Sequence, residues 1–404
     1  MRSRLLFFLI IPILGCKTIA LQGQKELPFV LAINPNALQE NKVRIEKNDP
    51  DIIEAYKQLL KDAGKALEFK PVSVTEKVNI PPSGDKHDYM SLAPYHWPDP
   101  SKTDGLPYIR KDGQTNPEVK NYKDKEYQPE LCRTIHTLSL AWYFTEDNRY
   151  AEHARKLIRV WFLDTATKMN PNLNFGQAIM GVNTGRGAGL IDTRHLINVV
   201  DAIGLLKNAD CWKEEDQLGM KKWFSQFLEW MQTSKNGIDE MNAKNNHGMW
   251  YDAQRLSFAL FTGQNEVARN IVLNVQNRLE MQMDANGFFP AELQRTISFH
   301  YSVFVMEPIF IIAQMATHTG IDLWAYTSPS GKSIKKGFDT LLPFMLKEKE
   351  WTGQQIKPFD FEEVIPLLAT GRTQFNCIKC NETIIKLAAD KAAQLRIHLL
   401  TKNN

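Results

Sequence analysis

The sequence predicts an all-α chain of helical hairpins stacked around an axis, preceded by a long loop segment rich in proline and aromatic residues. From about residue 130 onward, apolar residues recur at helical spacing in one segment after another. The turns between are short, and no long alternating strand pattern competes. Three segments close on the same pair, Thr262-Gly263, Thr319-Gly320 and Thr370-Gly371, where glycine supplies the left-handed conformation that stops a helix. Their spacings of 57 and 51 residues each suit one helical hairpin.

In chain order, residues 1–16 have the layout of an export signal: Arg2 and Arg4, an apolar run from Leu5 to Leu14, then Gly15-Cys16. The run is too short to span a membrane. Ile13-Leu14-Gly15-Cys16 also resembles a bacterial lipobox, in which Cys16 is lipidated and becomes the new N-terminus; the alternative is ordinary cleavage near Ala20. Either route takes the protein out of the cytoplasm, into the periplasm or onto a membrane through a lipid at Cys16. Residues 17–404 are then expected to form one unit.

Residues 71–129 contain Pro71, Pro81, Pro82, Pro94, Pro98, Pro100, Pro107, Pro117 and Pro129, which interrupt any regular element. So long an irregular stretch inside a compact protein is often functional. It also holds His87, Tyr89, Tyr95, His96, Trp97 and Tyr108. Such planar side chains either form platforms on which sugar rings stack, under a lid over the helices, or pin the loop to the helical scaffold.

The helical segments then run Leu131 to Phe144, Ala154 to Leu163, Leu196 to Leu206, Leu218 to Met231, Met249 to Phe261, Val267 to Met281, Tyr301 to Ala316, Ile334 to Leu346 and Phe361 to Leu368. Pro308 is expected to kink one of them.

With 43% hydrophobic and 24% charged residues, the 404-residue chain has the composition of a globular protein with a sizeable core. Its formal charge of +3 falls to about +1 once residues 1–15, which carry two arginines and no acid, are removed. No basic stripe interleaved with aromatics appears, which argues against nucleic acid. Any polyanion must therefore be held by a local cluster. Cys377-Ile378-Lys379-Cys380 has the spacing of a metal or redox pair, but no second pair follows at zinc-site distance. In an exported protein it reads first as a local disulfide.

The chemistry concentrates in Asn245-Asn246-His247-Gly248-Met249-Trp250-Tyr251-Asp252 and in Arg295 followed by Tyr301. An amide, an imidazole, a guanidinium and a phenol suit β-elimination from an acidic sugar. A neutralised carboxylate acidifies the C5 proton, a base removes it, and the C4 oxygen departs. Asn246 and His247 sit where a helix begins, a position that favours negative charge, although an asparagine there is also a good cap. Arg295 offers a planar fork to a carboxylate that lysine cannot reproduce. Tyr301 as a base at neutral pH faces a cost of roughly 4 kcal/mol, which a cation at Arg295 is expected to reduce.

These segments, together with Asp88-Tyr89-Met90-Ser91-Leu92-Ala93-Pro94-Tyr95-His96-Trp97-Pro98-Asp99-Pro100, Gly105-Leu106-Pro107-Tyr108-Ile109-Arg110 and Asn183-Thr184-Gly185-Arg186-Gly187, resemble the alginate-lyase-like polysaccharide lyases, most closely polysaccharide lyase family 38. The resemblance implies an (α/α) toroid, no obligatory metal or other cofactor, an acidic polysaccharide as substrate, and an active site of Asn246, His247, Arg295 and Tyr301. It leaves open whether His247 or Tyr301 is the base. The candidate sugar-binding residues are Tyr95, His96, Trp97, Arg133, Arg186, His195, Trp250 and His300. For His195, expected inside an amphipathic helix, and for His136 beside Arg133, a structural role is the competing reading.

Two other functions remain open on the residues alone. A glycoside hydrolase would need two carboxylates across a cleft, and Asp252, Glu292 and Glu307 are available without the spacing of a pair. A lipid-anchored glycan-binding protein would hold the sugar without cleaving it.

Overall fold

In the computed structural model, residues 27–402 are described. The export signal and Cys16 lie outside them. The helices are Pro35–Glu46 (α1), Pro50–Ala66 (α2), Asp124–Thr145 (α3), Asn148–Ile158 (α4), Leu196–Leu206 (α5), Glu214–Thr233 (α6), Lys235–Met241 (α7), Asn246–Thr262 (α8), Asn265–Gln282 (α9), Pro290–Leu293 (α10), Ser298–Ala316 (α11), Ile334–Met345 (α12), Ile365–Phe375 (α13), Ile378–Ala388 (α14) and Ile397–Leu400 (α15).

Four hairpins, α3/α4, α8/α9, α11/α12 and α13/α14, together with α5 and with α6, which packs on α8, arrange themselves as an α/α toroid. The first helices of the hairpins and α5 pack in sequence, α3 on α5, α5 on α8, α8 on α11 and α11 on α13, to form an inner ring. Inner helices are apolar nearly all round, because they meet protein on both sides. Helix α11 with its 3-10 extension, Ser298–Thr319, is even long and apolar enough to cross a membrane, but it is mostly buried inside this ring. Pro308 lies within α11 without ending it. The hairpins are welded by aromatics from both layers: Phe162, Trp223, Phe224, Phe227 and Phe258 stack or meet edge to face with centroids 4.8–6.3 Å apart.

The ring is closed by α1, α2 and α15, whose apolar faces form a second core with Leu140, Phe144 and Leu205. Asp201 on α5 fastens the entering chain, its carboxylate accepting from the backbone N–H groups of Leu31 (2.7 Å), Ala32 (3.1 Å) and Ile33 (3.1 Å). The periodicity reading passes over α1 and α2. Both carry a signal at the start: Asn34-Pro35 and Asp49-Pro50 each place a capping side chain before a proline in the first turn.

Two expectations are corrected. Thr262-Gly263 and Thr319-Gly320 do end helices in the left-handed conformation, but Gly371 lies inside α13, which ends instead at left-handed Asn376. Glycine is needed at 371 for space, since a Cβ there would lie 2.2 Å from the Phe338 ring. The irregular segment also stops earlier than Pro129. Helix α3 begins at Asp124 and runs through that proline, helped by the buried Asp124 carboxylate, which pairs with Lys77 at 2.8 Å and accepts from the Met90 N–H at 3.0 Å.

Within the segment, Met90–Leu92 (β1) pairs in parallel with Phe175–Ala178 (β4), and His96–Trp97 (β2) pairs antiparallel with Ile109–Arg110 (β3). Cys377 and Cys380 form a disulfide.

Candidate active site

The start of α8 is capped by Asn245, whose side chain accepts from the His247 N–H at 3.2 Å. Asn246, in the first turn, is wholly buried. Its backbone N–H and its Nδ2 donate to the two oxygens of Glu292, at 2.6 and 2.8 Å, and its Oδ1 is left buried without a partner among the described residues. Glu292 thus clasps the α8 start to α10, and three residues later the same turn delivers Arg295, whose N–H donates to the Glu292 carbonyl.

His247 is partly exposed, and its Nδ1 lies 2.7 Å from Oε1 of Glu240, a buried acid on α7. A carboxylate accepts only, so in the neutral imidazole Nδ1 carries the hydrogen and Nε2 the lone pair. Arg295 spends Nε and Nη2 on Asp112, at 3.1 and 2.7 Å, and Asp112 also accepts from the N–H and Oγ1 of Thr296, each at 3.1 Å. Burial would raise the Asp112 carboxyl, but Arg295, Arg110 and the Thr296 N–H outweigh it and hold the group well below the usual carboxylate range.

The Arg295 guanidinium lies 3.5 Å above the Tyr301 ring centroid, and the Tyr301 hydroxyl donates to that of Tyr95 at 3.0 Å. The expected relief of the phenol by Arg295 is outweighed. Burial drives the Tyr301 hydroxyl far above the normal tyrosine range and Tyr95 adds to the rise, while Arg295, stacked on the ring face and neutralised by Asp112, only opposes it in part. In this arrangement Tyr301 holds its proton.

A third arm comes from the loop before α5. Arg186 donates through Nη2 to Gln177 Oε1 at 2.8 Å, and its buried Nε has no partner among the described residues. Glycines on both sides let the loop press in: a Cβ at Gly185 would meet the Asn174 carbonyl at 2.0 Å, and one at Gly187 the α7 backbone at 2.9 Å. Gln177, a non-glycine residue at φ 51, donates to Asp192, which also takes Ser91, Tyr89 and Lys125. Burial and the cations Arg186 and Arg110 lower the His96 imidazole, whose Nδ1 is also buried and unpartnered among the described residues.

A cavity of about 790 Å³ adjoins this cluster inside the inner ring, lined in part by Arg194, His195, Trp250, His300, Phe304 and Glu307. His195 precedes α5 instead of lying inside it, and burial lowers its imidazole to about 3. His300 is oriented by Glu363, whose Oε2 is 2.7 Å from Nδ1. It lies in the first turn of α11, and its ring sits 5.2 Å from that of Tyr301. Asn246, His247, Arg295 and Tyr301 do not themselves line this cavity.

A sequence profile of the alginate lyase family matches residues 73–351, well over half the chain. The chain belongs to the alginate lyase family. Its structure is similar to that of an alginate lyase from Bacteroides ovatus, with 39% identity and a TM-score of 0.87 over 93% of this chain and 99% of that one. Alginate lyase A1-III from Sphingomonas species A1 shares the fold at 16% identity, with a TM-score of 0.58 over 93% and 98% of the two chains. A variant of A1-III complexed with a tetrasaccharide aligns at 16% identity with a TM-score of 0.60, over 94% and 98%. No curated protein sequence matches the chain. The family consists of polysaccharide lyases that cleave polyuronates by β-elimination, and this chain is a polysaccharide lyase.

In this alginate lyase family member, two of the three hydrolase candidates are spoken for. Asp252 is held by Arg278 at 2.5 Å and Glu292 by Asn246, while Glu307 faces the cavity. Arg133 is exposed and pairs with Glu130 on its own helix, and its charge also reaches the His195 imidazole. His136 is lowered by burial to about 3. Trp97 donates from Nε1 to the Gln114 carbonyl at 2.9 Å and carries the Lys111 ammonium over its ring. Glu240, Asp112 and Arg194 go unmarked in the sequence reading.

Proposed function

We propose that this lyase cleaves alginate or a related polyuronate, with His247 as base and Tyr301 as acid. The observation that carries this division of labour is the pair of opposed proton states. Glu240 holds the His247 Nδ1–H so that Nε2 is a ready acceptor, while burial keeps the Tyr301 phenol protonated and donating.

Arg295 Nη1, which has no partner among the described residues, and the remaining Nδ2 hydrogen of Asn246 neutralise the uronate carboxylate. Such preorganised donors are worth about 2.7 to 4 kcal/mol each. The C5–H bond breaks and its proton passes to His247 Nε2. The electron pair becomes the C4–C5 double bond, the C4–O bond breaks, and the departing oxygen takes the Tyr301 proton. For the epimer whose C5 hydrogen faces the phenol, Tyr301 must first lose its proton, so turnover of that epimer is slower. Tyr95, His96, Trp97, Arg186, His195, Trp250 and His300 bind neighbouring sugars.

The motifs around Tyr95, Arg110 and Arg186 support placement in the broad-specificity branch, polysaccharide lyase family 38. Export follows from the signal at residues 1–16, with Cys16 lipidated; Cys16→Ser should then leave the protein unacylated. Incubation with alginate blocks, glucuronan and pectate tests the central reading. Unsaturated, ultraviolet-absorbing ends should form with the unsubstituted protein and not with Tyr301→Phe. Binding without cleavage would favour a glycan-binding protein instead.

A further inference from the structure

The cavity inside the inner ring holds two charged side chains that no ion pair joins. Arg194, at the entry to α5, is half-buried, and its one hydrogen bond to a neighbour is from Nη1 to the Ile191 carbonyl at 3.2 Å. Its guanidinium lies over the rings of Trp250 and Phe304, 5.9 and 5.7 Å from their centroids. Glu307, two turns into α11, lines the same space and shows no hydrogen-bond partner among the described residues.

A cation and an acid, both half-buried and held apart across open space, leave their hydrogen-bonding groups free for a polar ligand between them. Burial lowers the Arg194 guanidinium and pushes the Glu307 carboxyl up to about 7, against the pull of Arg194 and His300, as expected when neither is satisfied. The volume of about 790 Å³ lies in the range of ligand pockets, and the flanking Trp250 and Phe304 offer the apolar faces that sugar rings need. The neighbouring lining residues His195 and His300 add hydrogen-bonding imidazoles.

We propose that this cavity is a second saccharide site, in which Arg194 takes the carboxylate of a uronate residue while Glu307, the acid across the space, competes for the same guanidinium. His300, next to Tyr301 in the first turn of α11, connects it to the catalytic cluster, so one oligosaccharide reaches both. The inference rests on the polyuronate reading for the identity of the acidic sugar.

The test uses the full chain carrying Tyr301→Phe, so that bound substrate persists, and calorimetric titration with a uronate tetrasaccharide and its carboxyl-reduced, uncharged counterpart. Adding Arg194→Gln should weaken tetrasaccharide binding at least about tenfold, as for loss of a charge-assisted pair, and leave the uncharged counterpart unaffected. Adding Glu307→Gln, which removes the competing acid, should tighten uronate binding severalfold. Unchanged uronate affinity on Arg194→Gln overturns the proposal. If that variant fails to fold, Glu307→Gln decides alone: tighter binding supports the site, and equal or weaker binding refutes it. Release of unsaturated product by the unsubstituted protein is scored separately, so an active lyase with an indifferent Arg194 refutes this inference alone.

Discussion

Glu240 and His247 stand 2.7 Å apart, carboxylate to imidazole Nδ1, with the acid buried on α7 and the imidazole in the first turn of α8. This contact fixes which nitrogen faces the cleft. Glu240→Gln should therefore lower kcat by about 10²-fold, in the range for impaired acid/base transfer, while KM stays within a fewfold. A rise in KM with unchanged kcat would show that Glu240 only shapes the binding surface.

Asp112 reaches from the loop segment to Arg295 and Thr296, so it ties the lid to the turn between α10 and α11. Its carboxyl is depressed in the fold, so its contribution is present above the ordinary carboxylate range and is lost as pH falls toward the folded value. Asp112→Asn should abolish that acid-side loss and increase proteolytic cutting within residues 71–123 at neutral pH. Equal cutting in both proteins would mean that the lid is held elsewhere.

Arg295→Lys keeps a charge but loses the planar fork and the close stacking on Tyr301. Both kcat and KM should suffer, with kcat/KM down at least about 10²-fold, the scale of one lost transition-state donor. Near-normal steady-state kinetics would leave Arg295 a purely structural residue.

Glu307 titrates near 7 in the fold, above an ordinary glutamate at about 4.3. Its folded pKa is raised, so the stability it leaves intact below about pH 4 is lost as pH rises through 7, by roughly 3 kcal/mol or less. Glu307→Gln should match the parent Tm near pH 4 and exceed it at pH 8. A parallel pair of Tm profiles would contradict the buried, unpaired state.

Gly371→Ala places a methyl 2.2 Å from the Phe338 ring. Overpacking of this kind typically costs about 1–3 kcal/mol, so urea unfolding should shift to a lower midpoint by that amount. A stabilised variant would mean that the helical propensity gained by alanine exceeds the clash.

The inner ring is legible in the sequence because its helices carry continuous apolar patterns. For α5 the expected span, Leu196 to Leu206, is the observed one. Helices α1 and α2 are missed, although α2 carries an apolar stripe of Ile52, Ala55, Leu59 and Ala63 and the Asn-Pro and Asp-Pro starts mark both. At the site, Asn246, His247, Arg295 and Tyr301 are found by chemical type, and the fold links them through Glu292 and ring stacking. The groups that set their proton states are not legible. Asp112 is 183 positions from Arg295, and Glu240 is one unremarkable acid of a seven-residue helix until the α7–α8 turn brings it to the imidazole. The state of Tyr301 is invisible for the same reason, because burial is a property of the assembled ring.

The central claim is elimination, and the most direct measurement is digestion of a polyuronate in heavy-oxygen water, with ultraviolet absorbance and product mass followed together. Elimination predicts unsaturated, absorbing ends that carry no heavy oxygen. Products without absorbance that have gained one heavy oxygen per cleavage would contradict it.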